Sequence, residues 1–300
     1  MIAGQKPACI AGRGTTVDLR VDPLSGRQVV IAPRRGDRPG ASPTALDEDT
    51  PEERERCPFD EGREGRTPPE TLALPAGREP NTPGWQVRVV PNLYPAFERQ
   101  EVVVHSPRHV VSLADVTETE LSLVARAWQL RAVVALAEGF PYVHAVVNEG
   151  RSAGASLLHS HSQRVWLRSP PPAVEAERRE GCAVCELLAD EPLRLEPGVV
   201  VHRAGRAPYE LLIAPRTHDD LGLRSPNLDW ALQALARSIR RLHATVGRIP
   251  LNAWLHTERH WHFEVVPRLT VFAGVELGAG IYVNPLPPEE AARALRQARP

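Results

Sequence analysis

The chain of 300 residues has only four cysteines, Cys9, Cys57, Cys182 and Cys185. That is too few for a disulfide scaffold of this length, so the thiols are free or metal-bound. Its formal net charge is -1. No global field therefore advertises nucleic acid or an acidic membrane, and an anionic ligand must be held by local arginines. No run approaches the roughly 18 apolar residues of a membrane span. The opening MIAGQKPACIAGRG has no signal-peptide apolar region, so the expectation is a cytoplasmic protein.

What is present is a repeated plan. Strand-like runs fall at 28–32, 85–90, 101–105, 142–148 and 164–167, around a segment at 38–83 that reads as mostly irregular. Thr117 with Glu120 three residues on announces a helix whose Leu121, Val124, Trp128 and Ala132 share a face. Strand-like runs recur at 199–202, 210–214, 251–255 and 261–266, with Leu232, Leu235, Ile239, Leu242 and Val246 marking a second helix. SPRH ending at His109 has a counterpart in PRTH ending at His218, and HSHSQ at 159–163 has one in HWHFE at 260–264. Matching order favours an internal duplication over the chance similarity of any two α/β halves. The proline run after Ser169 divides the chain near 172, giving domains 1–172 and 173–300.

In a strand, alternate residues share a face. His159, His161 and Gln163 then project together, with Ser160 and Ser162 opposite. Adjacent imidazoles suit metal binding or nucleophilic attack at phosphorus. The preceding GRSAGAS, with Gly154 inside it, supplies small residues whose N–H groups can approach phosphate oxygens. CAVC at 182–185, with His218 and His260, offers four zinc donors. A redox pair or two incidental thiols are the alternatives, and no helix signal follows the motif. The corresponding first set is Cys57, Asp60, His109 and His159, where Asp60 is a ligand or a turn residue.

The ordered motifs DPLSGRQVVIAPRRGDRP, CPFD, TPPE, VRVVPNLYPAF and NEGRSAGASLLHSHSQ resemble the galactose-1-phosphate uridylyltransferase family of the histidine-triad superfamily. The closing HWHFEVVPRLTVFAGVELGAGIYVNPLPPEEAA is similar to the branch containing ADP-glucose phosphorylase. The resemblance implies an α+β fold of two tandem histidine-triad-like halves, with antiparallel sheets and packed helices. It implies a homodimer, two zinc ions and ping-pong nucleotidyl transfer. His161 takes the nucleophile's place. Gln163 stands where histidine-triad hydrolases carry a further histidine, and its neutral amide favours transfer over hydrolysis. Ser156 matches a contact to the departing phosphate, Arg35 and Arg38 match phosphate-binding arginines, Asn92 a nucleoside contact and Glu276 a hexose contact. The eight metal candidates match the family's two sets, departing at Asp60. Ser160 and Ser162 replace the usual proline and glycine. No second nucleophile is expected at His262, since no small-residue approach precedes it. UMP transfer from UDP-glucose to galactose 1-phosphate ranks first. The alternatives are adenylyl transfer from ADP-glucose to phosphate and a non-catalytic two-zinc module.

Overall fold

The computed structural model describes residues 18–37, 45–178 and 180–298. Its strands are β1 (Asp18–Val21), β2 (Gln28–Ile31), β3 (Leu72–Leu74), β4 (Val87–Pro91), β5 (Arg99–Val104), β6 (Tyr142–Glu149) and β7 (His161–Leu167). The second half adds β8 (Arg194–Glu196), β9 (Val199–Val201), β10 (Leu211–Ile213), β11 (Leu251–His256), β12 (His262–Pro267) and β13 (Ile281–Asn284). The helices are α1 (Pro51–Arg56), α2 (Glu118–Ala137), α3 (Pro172–Ala176), α4 (Ala183–Leu188), α5 (Leu228–Val246), α6 (Gly274–Ala279) and α7 (Pro288–Gln297). None of the described helices is long and apolar enough to cross a membrane.

Thr117 accepts a hydrogen bond from Glu120 N while the Glu120 carboxylate accepts one from Thr117 N, so α2 begins where the capping pair says it should. Leu121, Val124 and Trp128 are fully buried, as are Leu232, Leu235, Ile239 and Leu242 of α5. The two helices lie side by side, joined by Ser122 Oγ donating to Asp229 Oδ1 at 2.8 Å. Their apolar faces enter one core that draws residues from both halves.

Beneath them runs one ten-stranded sheet in the order β3-β4-β5-β7-β6-β11-β12-β10-β9-β8. Every pairing in it is antiparallel. Read outward from the β6–β11 seam, each half has the same topology: β6-β7-β5-β4-β3 on one side and β11-β12-β10-β9-β8 on the other. The duplication is therefore structural, but the two sheets expected from sequence are fused edge to edge, Leu251 to Leu255 pairing with Glu149 to Ala145. A separate three-stranded sheet, β1-β2-β13, contains a parallel pair, β2 with β13.

Two expectations are corrected. β7 begins at His161 rather than 164, because the HSHSQ run is already paired with β5. The CxxC motif does carry a helix: Cys182 caps α4 by accepting from Cys185 N at 3.5 Å. The stretch at 38–83 is mostly irregular where described, as expected, apart from α1, led by Pro51 behind a Thr50 cap, a short helical turn and the edge strand β3.

Candidate active site and metal centres

β7 lies between β5 and β6, with His161, Gln163 and Val165 on the face away from α2. His161 is 5 % exposed, and burial lowers its pKa, so the ring is neutral at neutral pH. A carbonyl only accepts. The 2.7 Å contact of His161 Nδ1 with the His159 carbonyl therefore places the proton on Nδ1 and leaves Nε2 with its lone pair free. Gln100 Nε2 donates to Gln163 Oε1 at 2.7 Å, so the Gln163 amide nitrogen is the end left to donate. On the helix side, Ser160 and Ser162 each stand 3.0 Å from a nitrogen of the buried His105 ring, and Trp128 Nε1 donates to Ser162. The serines are thus spent on the core, behind the strand.

The loop from β6 to β7 turns on Gly150 (φ +82°) and Gly154 (φ +92°). At Gly150 a Cβ would lie 2.9 Å from both Leu46 and Pro250, so only glycine fits between them. Gly154 and Ser156 are exposed on this loop.

Four potential ligand atoms converge at Cys57, Asp60, His109 and His159, and four more at Cys182, Cys185, His218 and His260, each set within 4.8 Å of one another. His159 Nε2 donates to the Ser106 carbonyl at 2.9 Å, and His260 Nε2 to the Pro215 carbonyl at 2.8 Å. Both rings therefore offer a bare Nδ1 to their partners, the arrangement expected of metal-ligating histidines. His159 Nδ1 is 3.5 Å from Cys57 Sγ and 3.0 Å from Asp60 Oδ1; His260 Nδ1 is 3.3 Å from Cys185 Sγ. Burial pushes the Cys57 thiol up to about 12, and burial with the neighbouring Cys182 pushes Cys185 up to about 11. A divalent cation would reverse both, since coordination deprotonates a thiol. Burial alone would raise the Asp60 carboxyl, but the neighbouring imidazoles, His109 Nδ1 at 2.8 Å among them, hold it below the usual carboxylate range. Asp60 is thus an anionic donor. The donor sets fit a tetrahedral cation.

The residues matched to substrate contacts are dispersed. Asn92 follows β4, and its N–H donates to the carbonyl of Gln100, the residue that fixes Gln163. Arg35 is exposed in a single helical turn after β2. Glu276 lies in α6, where its carboxylate accepts from Ala273 N at 2.9 Å. Arg35 follows β2 and Glu276 precedes β13, so they lie off opposite ends of that parallel pair, and among the described residues no hydrogen bond or ion pair joins either to β7. Arg38 lies outside the described residues.

The second half reproduces the histidine geometry with a different neighbour in place of the glutamine. His262 Nδ1 donates to the His260 carbonyl at 3.1 Å, copying His161. Glu264, at the Gln163 position, is tied to Arg206 and to Trp254 Nε1. Glu177 adds a carboxylate 2.7 Å from His256 Nδ1, so Glu177, His256, His262 and Glu264 form a further acidic–imidazole group. Glu177, His256 and Glu264 border a cavity of about 610 Å³ over the sheet seam, with Arg27 and Arg206 also lining it. The sequence reading missed this group because Glu177 stands 79 positions from His256 and no local spacing links them.

Comparison with known proteins sharpens the picture. The profile for the N-terminal domain of galactose-1-phosphate uridyl transferase matches residues 92–171. ADP-glucose phosphorylase of Arabidopsis thaliana is 28% identical over 93% of this chain and 92% of its own. Galactose-1-phosphate uridylyltransferase of Thermotoga maritima is 25% identical over 66% of this chain and 73% of its own. The crystal structure of the Arabidopsis phosphorylase with bound ADP-glucose aligns with a TM-score of 0.79 at 27% identity, covering 95% of this chain and 99% of that one. A solved uridylyltransferase aligns at 0.68 and 25% identity, covering 93% and 97%. Over nearly its whole length the chain resembles the galactose-1-phosphate uridylyltransferase family, its ADP-glucose phosphorylase branch included.

Proposed function

We propose that the chain is a nucleotidyltransferase working through a covalent nucleotidyl-histidine at His161. The observation that carries the reading is the bare, neutral Nε2 of His161, oriented by the His159 carbonyl. In the first step Nε2 attacks the α-phosphorus of a nucleotide sugar; the N–P bond forms as the bond to the bridging oxygen breaks, and sugar 1-phosphate leaves. In the second, an oxygen of a phosphate acceptor attacks the same phosphorus and His161 departs. The Gln163 amide donates to a phosphoryl oxygen without activating water. Ser156, Gly154, Asn92, Arg35, Arg38 and Glu276 are the proposed substrate contacts.

The donor placed first is ADP-glucose, with inorganic phosphate as acceptor, because the adenylyl relative aligns over the wider share of the chain. UDP-glucose with galactose 1-phosphate is the second reading. Zinc is the cation proposed for both donor sets. It would lock His159 at the head of the strand that aims His161. A cytoplasmic setting, where thiols stay reduced, suits Cys182 and Cys185 as ligands. Residues 1–172 serve as the catalytic domain and 173–300 as its support. A homodimer is supported by the exposed Leu93, Tyr94 and Phe97 and by Val271, Val275 and Leu277.

The test is intact-protein mass after brief incubation with ADP-glucose or UDP-glucose, each without acceptor. An adduct of AMP or UMP that disappears in His161→Ala is the expected result, and its mass names the base. A fully metal-loaded protein that gives no adduct with either would favour the non-catalytic two-zinc module.

A further inference from the structure

No second nucleophile is expected in the C-terminal half, yet one of its strands reaches into the loop that precedes His161. Asn252 of β11 stands directly across from Asn148 near the end of β6. Its amide nitrogen donates twice, to Asn148 Oδ1 at 2.8 Å and to the Ala153 carbonyl at 2.7 Å. Its oxygen accepts from Arg268 Nη1 at 3.4 Å. A guanidinium has only donors, so Arg268 settles which end of Asn252 is oxygen. Asn252 in turn settles which end of Asn148 is oxygen. Asn148 Nδ2 is left as the outward end, 3.9 Å from where a Cβ on Gly154 would stand. The β6–β7 pairing runs to Val147 opposite Ser162, and the next position along brings Asn148 beside His161 on the site face.

We propose that Arg268, Asn252 and Asn148 form a relay of amide polarity, through which the C-terminal half presents a hydrogen-bond donor to the acceptor oxygens of the nucleotide at His161. Asn252 and Arg268 are positioning residues, and the inference rests on the nucleotide-binding reading above. Phosphate and ribose oxygens accept. An Asn148 turned the other way would face them with its carbonyl. The bond to Ala153 does the same service for the loop, drawing one backbone carbonyl back from the anion's side.

The substitution Asn252→Asp keeps the shape and reverses the polarity. Its carboxylate accepts from Arg268 and from Asn148, whose oxygen must then face the nucleotide. Asn252→Ala removes all three side-chain bonds and leaves Asn148 free to turn either way. Calorimetric binding of AMP and UMP should weaken by about tenfold or more in Asn252→Asp, and by less in Asn252→Ala. A role confined to holding the fold predicts the opposite order, with affinity tracking the melting temperature. In an Asn148→Ala background the two substitutions should bind alike. A surviving difference there would mean that the new charge acts directly on the phosphate, which overturns the relay. So would wild-type affinity in Asn252→Asp, whatever happens to the covalent adduct. If wild type binds the monophosphate but forms no adduct with either nucleotide sugar, while Asn252→Asp is weakened, the relay stands and the nucleophile assignment falls. Wild-type protein that binds neither nucleotide overturns both.

Discussion

Gln163 and Glu149 show how much chemistry rests on single protons. The Gln100 bond gives Gln163 a fixed direction, with its nitrogen toward the substrate side. A histidine there could protonate a leaving oxygen or activate water. Gln163→His should therefore raise hydrolysis of the nucleotidyl-enzyme relative to transfer, read as the ratio of free nucleoside monophosphate to transfer product; an unchanged ratio would contradict the role given to the amide. Glu149, immediately before Gly150, is wholly buried, and burial lifts its carboxyl to about 7 despite bonds from Leu113 N and Ser112. Its folded pKa lies above the unfolded value, so between the two the native state binds the extra proton. Stability from this group is therefore greatest at low pH and falls as pH rises towards 7. The loss between pH 5 and pH 8 is about 3 kcal/mol. Glu149→Gln should remove that component from the pH dependence of urea unfolding, and an unaltered profile would mean that the carboxylate is stabilised by its two donors after all.

At the scale of elements, the two metal groups differ by one donor atom. A carboxylate oxygen in place of a thiolate makes a softer cation less at home at Asp60 than at its counterpart in the second set. Chelator titration followed by metal analysis should release the first equivalent at about tenfold or more lower chelator concentration than the second. Asp60→Cys should bring the two releases together. Elements with a local signature were legible in the sequence. α2 carries its capping pair, α5 its 3–4 spacing, and the histidine alternation of β7 its two faces. The short strands β3 (LAL) and β8 (RLE) hold no β-branched residue to mark them, unlike the equally short β9 (VVV) and β10 (LLI). α4 is capped by a thiol, a signal that does not distinguish a helix from a metal knuckle. The metal sets were readable because each half repeats its spacing, whereas Glu177 with His256 needs the tertiary fold to bring it in.

For the whole molecule, the decisive feature is the seam. The sheet runs unbroken through β6 and β11, and the core beneath α2 and α5 belongs to both halves. Heating should give one cooperative transition with matching calorimetric and van't Hoff enthalpies. Two resolved transitions would show that the halves fold as separate units. Residues 1–172 expressed alone would expose the eight-residue edge of β6 and should aggregate. The outer margins of the same sheet behave differently. β3 is three residues long and is followed directly by Pro75, and β8 is three residues long with a register shift between Arg194 and Glu196. Neither margin offers a straight run of free N–H and C=O groups for another chain to extend. Edge-to-edge extension of this large sheet by a second copy is therefore disfavoured, which steers contact between copies to faces and loops.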